Sequence, residues 1–396
     1  MLPNAESFPP GRAAKIGRLG HRGDGVHLPW NRRVDGGGAT LKRLVLVTDA
    51  WRPQTNGVVN TLVKLVEYLE STGIEVLVIA PDGHRTVPLP SYPEIRIACD
   101  PWKALPRIRA FAPDAIHVST EGPLGMWTVA WLRHHQLRFT TSFHTRYAEY
   151  LSARVPVPLE WGYEIVRWFH GRAEHTLVSS QALLGELRAW RVGRRLVHWP
   201  RGVDAGLFHP SHRRGDIYPL PRPIWLYVGR VAVEKSLEDF LKLPLEGTKV
   251  VVGDGPSRED LQRRFPDVVW RGYRFGADLA AHFASADFFV FPSLTETFGF
   301  VILEALASWL PVASVPAPGP VDLVEEGVNG AIDDELMRAC LRAVRCPRDR
   351  ARASILRRTL RAGHEVFRDH LVPLQSPIRF AARDQDATGL QQAAAF

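Results

Sequence analysis

Two short segments carry residue types whose spacing could do chemistry on a phosphate-bearing ligand. In DFFVFPSLTETFGFVILEALAS, residues 287–308, an apolar strand runs into a polar loop, and a helix is predicted to open near Thr297 or Phe298. Amides of Phe298, Gly299 and Phe300 at such a helix start suit an anion, because the helix dipole is positive there. Gly299 leaves no side chain in the way. Glu296 stands in the loop before the helix and Glu304 about a turn and a half inside it, so the two carboxylates need not share a face. They are suited to different parts of one elongated ligand. A glycosidase pair would instead have to flank a single bond at about 5 to 10 Å. In YVGRVAVEK, residues 227–235, Arg230 ends a strand and Lys235 follows in the next loop. Two such cations can neutralise a diphosphate without a metal.

The elements that must hold these residues alternate along the chain. LKRLVLVTDA (41–50) reads as a buried strand and TNGVVNTLVKLVEYLESTG (55–73) as an amphipathic helix, followed by strands in EVLVIAP, DAIHVS, LRFTTSF and HTLVSS. The rhythm restarts at IWLYVGR (224–230) and continues through KVVVGDG, VVWRGY, DFFVFPS and PVASVP. The fold class is therefore α/β, with two doubly wound, Rossmann-like domains. The expected division is an irregular extension over 1–40, a first domain over 41–208, a proline-rich linker over 209–223 and a second domain over 224–362. Residues 363–396 read as irregular, with a possible crossover to the first domain. Neither half has a GxGxxG after its first strand, which disfavours a dinucleotide dehydrogenase.

Composition narrows the class further. The three cysteines, Cys99, Cys340 and Cys346, form no CxxC pair, so no disulfide framework or thiolate metal site is expected and a cytoplasmic setting is the simplest. No export signal is expected in the Gly-, Pro- and Arg-broken start. The longest apolar stretch, Gly299 to Pro318, contains Glu304 and internal prolines, and reads as helix, turn and strand rather than a membrane span. The net charge is +8; between Pro101 and Pro200, 13 Lys plus Arg stand against 7 Asp plus Glu, with 7 of the 12 tryptophans. That mixture suits an anionic membrane surface, and no nucleic-acid partner is expected. The one Asp-x-Asp, Asp384 to Asp386, lies in a polar tail with no strand before it and is read as chance, so no metal is expected.

From about Leu44 to about Ala331 the chain resembles the retaining glycosyltransferases of family 4, whose GT-B architecture implies two such domains facing each other across a cleft. The resemblance rests on the Asn56 and Gly57 loop, SFHT (142–145), RGVDAGLFHP (201–210), GRVAVEK, VGDGP (252–256) and PSLTETFGFVILEALAS. It implies that Arg230 and Lys235 bind the diphosphate of a nucleotide-sugar donor, helped by the amides of Phe298, Gly299, Phe300 and Val301. Glu304 would hold the ribose, and Glu296 would contact the transferred sugar and support charge at its anomeric carbon. His144 would sit near sugar and acceptor, and Gly57 would let the first loop approach the phosphates. Tyr273 and Arg274 lie where base selectivity would be set. The reaction so implied occurs on one face of the sugar, with the leaving diphosphate taking the acceptor's proton and with no metal, cofactor or protein nucleophile.

Within the family, TDAWRPQTNGVVNTL, TEGPLG, SFHTRYAEYLSARVPVP and LYVGRVAVEKSLEDFL are similar to bacterial α-mannosyltransferases and diacylglycerol glycosyltransferases. The expected donors are UDP-glucose, UDP-glucuronate or GDP-mannose, and the expected acceptor is a lipid or glycan, with diacylglycerol first and an α-linkage. Trp102, Arg107, Arg109, Trp127, Trp131, Trp161, Arg167 and Trp168 are candidates for docking the first domain on the inner face of a bacterial membrane. Two other readings stay open: a nucleotide-sugar epimerase of the same architecture, against which SFHT and RGVD speak, and a degenerate transferase serving as a partner-binding subunit. The chain departs from the family in two places. Trp309 stands where the family has a glycine after the donor helix, which predicts either a strained turn or a filled neighbouring gap, and the family's closing Trp-containing helix, which crosses back to the first domain, is not recognisable after Arg361.

Overall fold

Unbroken runs of Val, Ile and Leu make strands that are buried on both faces, and these build the two sheets of the protein. A computed structural model describes residues 41–374 apart from Thr55, Pro90, Ser91, 155–157, Thr295 and Thr297. The expected extension 1–40 and the tail holding Asp384 to Asp386 lie outside the described residues. The first domain contains β1 (Arg43–Val47), β2 (Glu75–Ile79), an antiparallel hairpin of β3 (Thr86–Leu89) and β4 (Tyr92–Ala98), β5 (Ala115–Val118), β6 (Thr140–Phe143), β7 (His175–Val178) and β8 (Leu196–His198). The second contains β9 (Ile224–Val228), β10 (Thr248–Val252), β11 (Val269–Trp270), β12 (Phe288–Phe291), β13 (Val312–Ser314) and β14 (Gly330–Ile332).

Apart from the hairpin, the strands form two parallel sheets ordered β2-β1-β5-β6-β7-β8 and β11-β10-β9-β12-β13-β14. Alternation along β1 sends Leu44 and Leu46 into one core and Val45 and Val47 into another on the opposite face. The strand order reverses between β1 and β5 and between β9 and β12, and ligands of such sheets bind beyond the strands' carboxyl ends at these points. The loops carrying Asn56 and Gly57, Arg230 and Lys235, and Glu296 all leave strands at these two reversals. The two doubly wound domains expected from the sequence are present.

The crossing between domains differs from expectation. Trp199 is in a first-domain core, while Val203, Phe208 and Tyr218 pack with Ile224, Leu226 and Phe283 in the second. The chain therefore passes over at 200–202. The segment 209–223 is folded onto the second domain, where Asp287 accepts from Arg213 at 3.1 Å and from Arg222 at 2.6 Å. Its prolines and charges imitate a linker, but Asp287 gives those charges partners.

The carboxyl-terminal stretch also differs. Instead of irregular chain from 363, a helix spans Leu360–Asp369, capped by the Thr359 hydroxyl accepting from the Ala362 amide. Phe367 enters the first-domain core beside Leu44, Leu62 and Trp199, and its ring stands 4.7 Å from that of His117. Leu374 then donates to the Asp114 carbonyl at 2.8 Å. The chain thus does close back on the first domain, through Val366, Phe367 and Leu371 and without a tryptophan. Among the described residues no helix is long and apolar enough to cross a membrane.

Candidate functional site

The exit of β12 is shaped by Gly299. It caps the helix Phe300–Ala307 with φ +83°, in the left-handed region that side chains disfavour. The helix therefore starts at Phe300, slightly later than expected, and Glu304 lies about one turn inside it. Phe298 is buried in the second-domain core and anchors this start, while Val301 packs against the same core from the first turn. At the other end Trp309 takes φ +69° and its side chain is exposed, so of the two expected outcomes the strained turn is the one present, and Leu310 still donates to the Ala305 carbonyl.

Beside this exit, β9 delivers Arg230, and a short 3-10 turn Val233–Lys235 delivers the lysine. The Tyr227 hydroxyl donates to the Arg230 carbonyl at 2.9 Å, and Val231 donates to the Asp254 carbonyl at 2.9 Å, which fixes the loop. Glycine is required at Gly253 of VGDGP, because a Cβ there would fall 1.9 Å from the Gly229 carbonyl oxygen. Lys235 Nζ donates to Glu296 Oε2 at 2.7 Å. The lysine given a diphosphate role and the glutamate given a sugar role are thus direct neighbours.

A cleft opens between the domains. Its walls are the first helix Gly57–Ser71, the crossing segment Trp199–Asp204, the helix Phe300–Ala307 and the last helix. Asn56 caps the first helix by accepting from the amides of Val58 and Val59 at 3.0 Å. Gly57 faces the Phe300 ring, 3.4 Å from where a Cβ would stand. Glu304 lines the cleft, and burial pushes its carboxyl up to about 7, partly opposed by Lys64.

His144 follows β6 on the first-domain side. Its Nε2 lies 2.8 Å from Ser142 Oγ, which lies 3.0 Å from His117 Nε2, and His117 Nδ1 lies 2.9 Å from Thr140 Oγ1. Burial, and then the charge of Arg201, hold both imidazoles neutral, with His117 pushed down to about 3 and His144 well below its usual range. A neutral His144 can exchange a hydrogen bond with a sugar hydroxyl. Its ring meets Trp199 edge-on at 5.8 Å and is not part of the Glu304 cleft wall.

The sequence-derived residues thus fall into three groups: Arg230, Lys235 and Glu296 at the β9 and β12 exits; Gly57, Phe300 and Glu304 in the cleft; and His144 at the end of β6. Lys64, Arg201 and His364, which complete the cleft, had no role assigned from sequence. Arg201 was visible only as a letter of RGVD. The TDA and TEGPLG segments prove to be supports: Asp49 accepts from the Leu124 amide at 2.9 Å and the Gly125 amide at 3.2 Å, holding the start of the helix Pro123–His134. Among the described residues no group of three His, Cys, Asp or Glu is placed to hold a metal ion.

Comparison with known proteins agrees with this geometry. Residues 55–207 match the profile of Glycosyltransferase Family 4, and residues 222–345 match that of Glycosyl transferases group 1. A GDP-mannose-dependent alpha-mannosyltransferase of Mycolicibacterium smegmatis is 35% identical over 74% of this chain and 84% of its own. An alpha-monoglucosyldiacylglycerol synthase of Streptococcus pneumoniae is 24% identical over 76% of this chain and 78% of its own. The solved sucrose-phosphate synthase of Thermosynechococcus elongatus superposes with a TM-score of 0.66 at 20% identity, covering 83% of this chain and 98% of that one, and it shares the GT-B fold. Two switch-point loops bearing cations and carboxylates, in two facing domains with these likenesses, make the protein a glycosyltransferase, and the chain belongs to glycosyltransferase family 4.

Proposed function

We propose that the protein is a retaining, metal-independent transferase that moves a hexosyl unit from a nucleotide-diphosphate sugar to a membrane lipid, diacylglycerol first, through an α-linkage. The observation that carries this reading is the 2.7 Å pair of Lys235 and Glu296. In a nucleotide sugar the β-phosphate and the anomeric carbon share one oxygen, so a cation for the phosphate and a carboxylate for the sugar must be neighbours. With Arg230 beside them, the loop exits neutralise the departing diphosphate, which is usually the largest catalytic contribution in such a reaction. The bond from the anomeric carbon to the phosphate oxygen breaks, and a bond to the acceptor oxygen forms on the same face. The acceptor's proton passes to the leaving diphosphate. Glu304 receives the ribose hydroxyls, and neutral His144 orients a sugar or acceptor hydroxyl.

GDP-mannose, UDP-glucose and UDP-glucuronate are the donors to try; one relative's name gives GDP-mannose and another's gives a glucosyl unit. A diacylglycerol acceptor draws on the pneumococcal relative and on the first-domain surface. There Trp161 is 65% exposed, Trp102 and Trp168 are exposed, and the Arg133 guanidinium lies 4.6 Å over the Trp168 ring. Trp131, by contrast, is a core residue and Trp127 is half-buried, so they take no part in docking. Peripheral attachment to the inner face of the membrane follows from this reading.

The test is incubation of the full chain with each donor and diacylglycerol vesicles in EDTA, with mass analysis of the lipids. One donor should yield a hexosyl-diacylglycerol. Activity abolished by EDTA and restored by a divalent ion would sink the metal-independent step, free epimerised sugar would indicate an epimerase, and neither transfer nor hydrolysis from any donor would indicate a non-catalytic subunit.

A further inference from the structure

The crossing segment Trp199–Asp204 places a basic side chain that the reaction above does not use. Arg201 is only 4% exposed, and among the described residues its Nε and Nη1 have no hydrogen-bond partner. Its guanidinium lies 3.4 Å from the centroid of the Trp199 ring, and that indole is itself fixed by donating from Nε1 to the Gly363 carbonyl at 2.9 Å. The cation is therefore seated over a fixed ring. Burial alone pulls it down to about 9, with no acid opposing the effect. A buried cation without an acid carries a large desolvation penalty, which a merely structural residue would not need to bear.

Arg201 lines the same cleft as Lys64, Glu304 and Phe300. Among the described residues two acids line that cleft. Asp204 is engaged by the amides of Gly206 and Leu207 at 3.1 and 2.9 Å, and Glu304 is held partly protonated by burial. His364, also on the wall, is kept neutral by burial and by the charges of Arg201 and Lys64. The cleft thus carries a surplus of positive charge, and Arg201 brings to it two donor nitrogens without acceptors among the described residues.

We propose that Arg201, seconded by Lys64, forms a second oxyanion subsite that binds a phosphate, carboxylate or sulfonate group of a substrate in this cleft. The inference rests on the transferase reading. Planar guanidinium suits such groups because it can offer several N–H donors to their oxygens at once. The oxyanion comes either from the donor's diphosphate, once its ribose is on Glu304, or from an acidic group on the acceptor.

The test compares wild type with Arg201→Met and Lys64→Met in the full chain. Loss of an uncompensated buried cation should leave the melting temperature of the free protein unchanged or raise it, whereas loss of a structural strut would lower it. Calorimetry with UDP, GDP and inorganic pyrophosphate reads the donor arm, and transfer to vesicles of diacylglycerol or phosphatidylglycerol reads the acceptor arm. A rise of about tenfold or more in Kd for the nucleoside diphosphate in Arg201→Met assigns the subsite to the donor. An unchanged Kd with a similar rise in KM for phosphatidylglycerol alone assigns it to the acceptor. Unchanged Kd and KM overturn the proposal. If Arg201→Met does not fold, Lys64→Met decides by the same two readouts. A wild-type protein that binds pyrophosphate but neither UDP nor GDP would sink the transferase reading, and the subsite would then stand or fall on whether Arg201→Met loses pyrophosphate.

Discussion

Lys235 Nζ and Glu296 Oε2 stand 2.7 Å apart, with their side chains 19% and 23% exposed, and join the loops that leave β9 and β12. In the free protein the glutamate therefore occupies the lysine that the diphosphate would use. Glu296→Gln should release Lys235 and leave UDP or GDP bound as tightly as in wild type or more so, because neither nucleotide has a sugar for Glu296 to hold. Transfer should nevertheless fall by about 100-fold, the usual scale for losing one group that stabilises developing charge. Calorimetry beside product formation separates the two effects.

Glu304 sets a pH dependence. Its carboxyl is raised from 4.5 to about 7 by burial, and the ionised form is the better acceptor for ribose hydroxyls. Affinity for the nucleoside diphosphate should fall between about pH 8 and about pH 6, and this component should be absent in Glu304→Gln. The stability effect has the opposite sense. A carboxyl whose folded pKa is raised stabilises the fold fully below its unfolded pKa and loses that contribution as pH rises through the folded one. Wild type should thus lose stability relative to Glu304→Gln between about pH 5 and about pH 8, as read from urea midpoints.

The last helix makes a stability prediction. Phe367 is fully buried in the first-domain core although it comes from the far end of the chain. Phe367→Ala should cost about 3 to 5 kcal/mol in urea unfolding, and Arg361→Ala on the exposed face of the same helix should cost less than about 0.5 kcal/mol. Equal effects would contradict the crossover packing.

Much of the scaffold was legible because strands buried on both faces are written as local apolar runs, as in Leu44 to Val47 and Ile224 to Val228. The positions of Arg230, Lys235 and Glu296 were legible for the same reason, since each follows such a run directly. The cleft was not. Lys64, Arg201, Glu304 and His364 come from four separated segments and meet only through tertiary packing, which no spacing encodes. The crossing point was misplaced because Val203 and Phe208 look like parts of a loop motif until the second-domain core shows where their side chains go. The last helix was missed because its packing residues Val366 and Phe367, with Leu371 just beyond, include no tryptophan to mark it.

Trp309 tests the strained turn. At φ +69° a glycine is favoured over any residue with a Cβ, so Trp309→Gly should be about 1 kcal/mol more stable than Trp309→Ala. Both variants lose the indole, which leaves the backbone term as their difference. The reverse order in thermal unfolding would mean that the turn relaxes when the ring is removed.

The most direct measurement is the turnover of Lys235→Met against wild type, with saturating donor and acceptor and with unfolding curves to confirm an intact fold. A leaving diphosphate neutralised by Lys235 predicts a fall in kcat of about 100-fold or more. A kcat within about threefold of wild type would contradict it, because so small a change leaves Lys235 no share in stabilising the departing group.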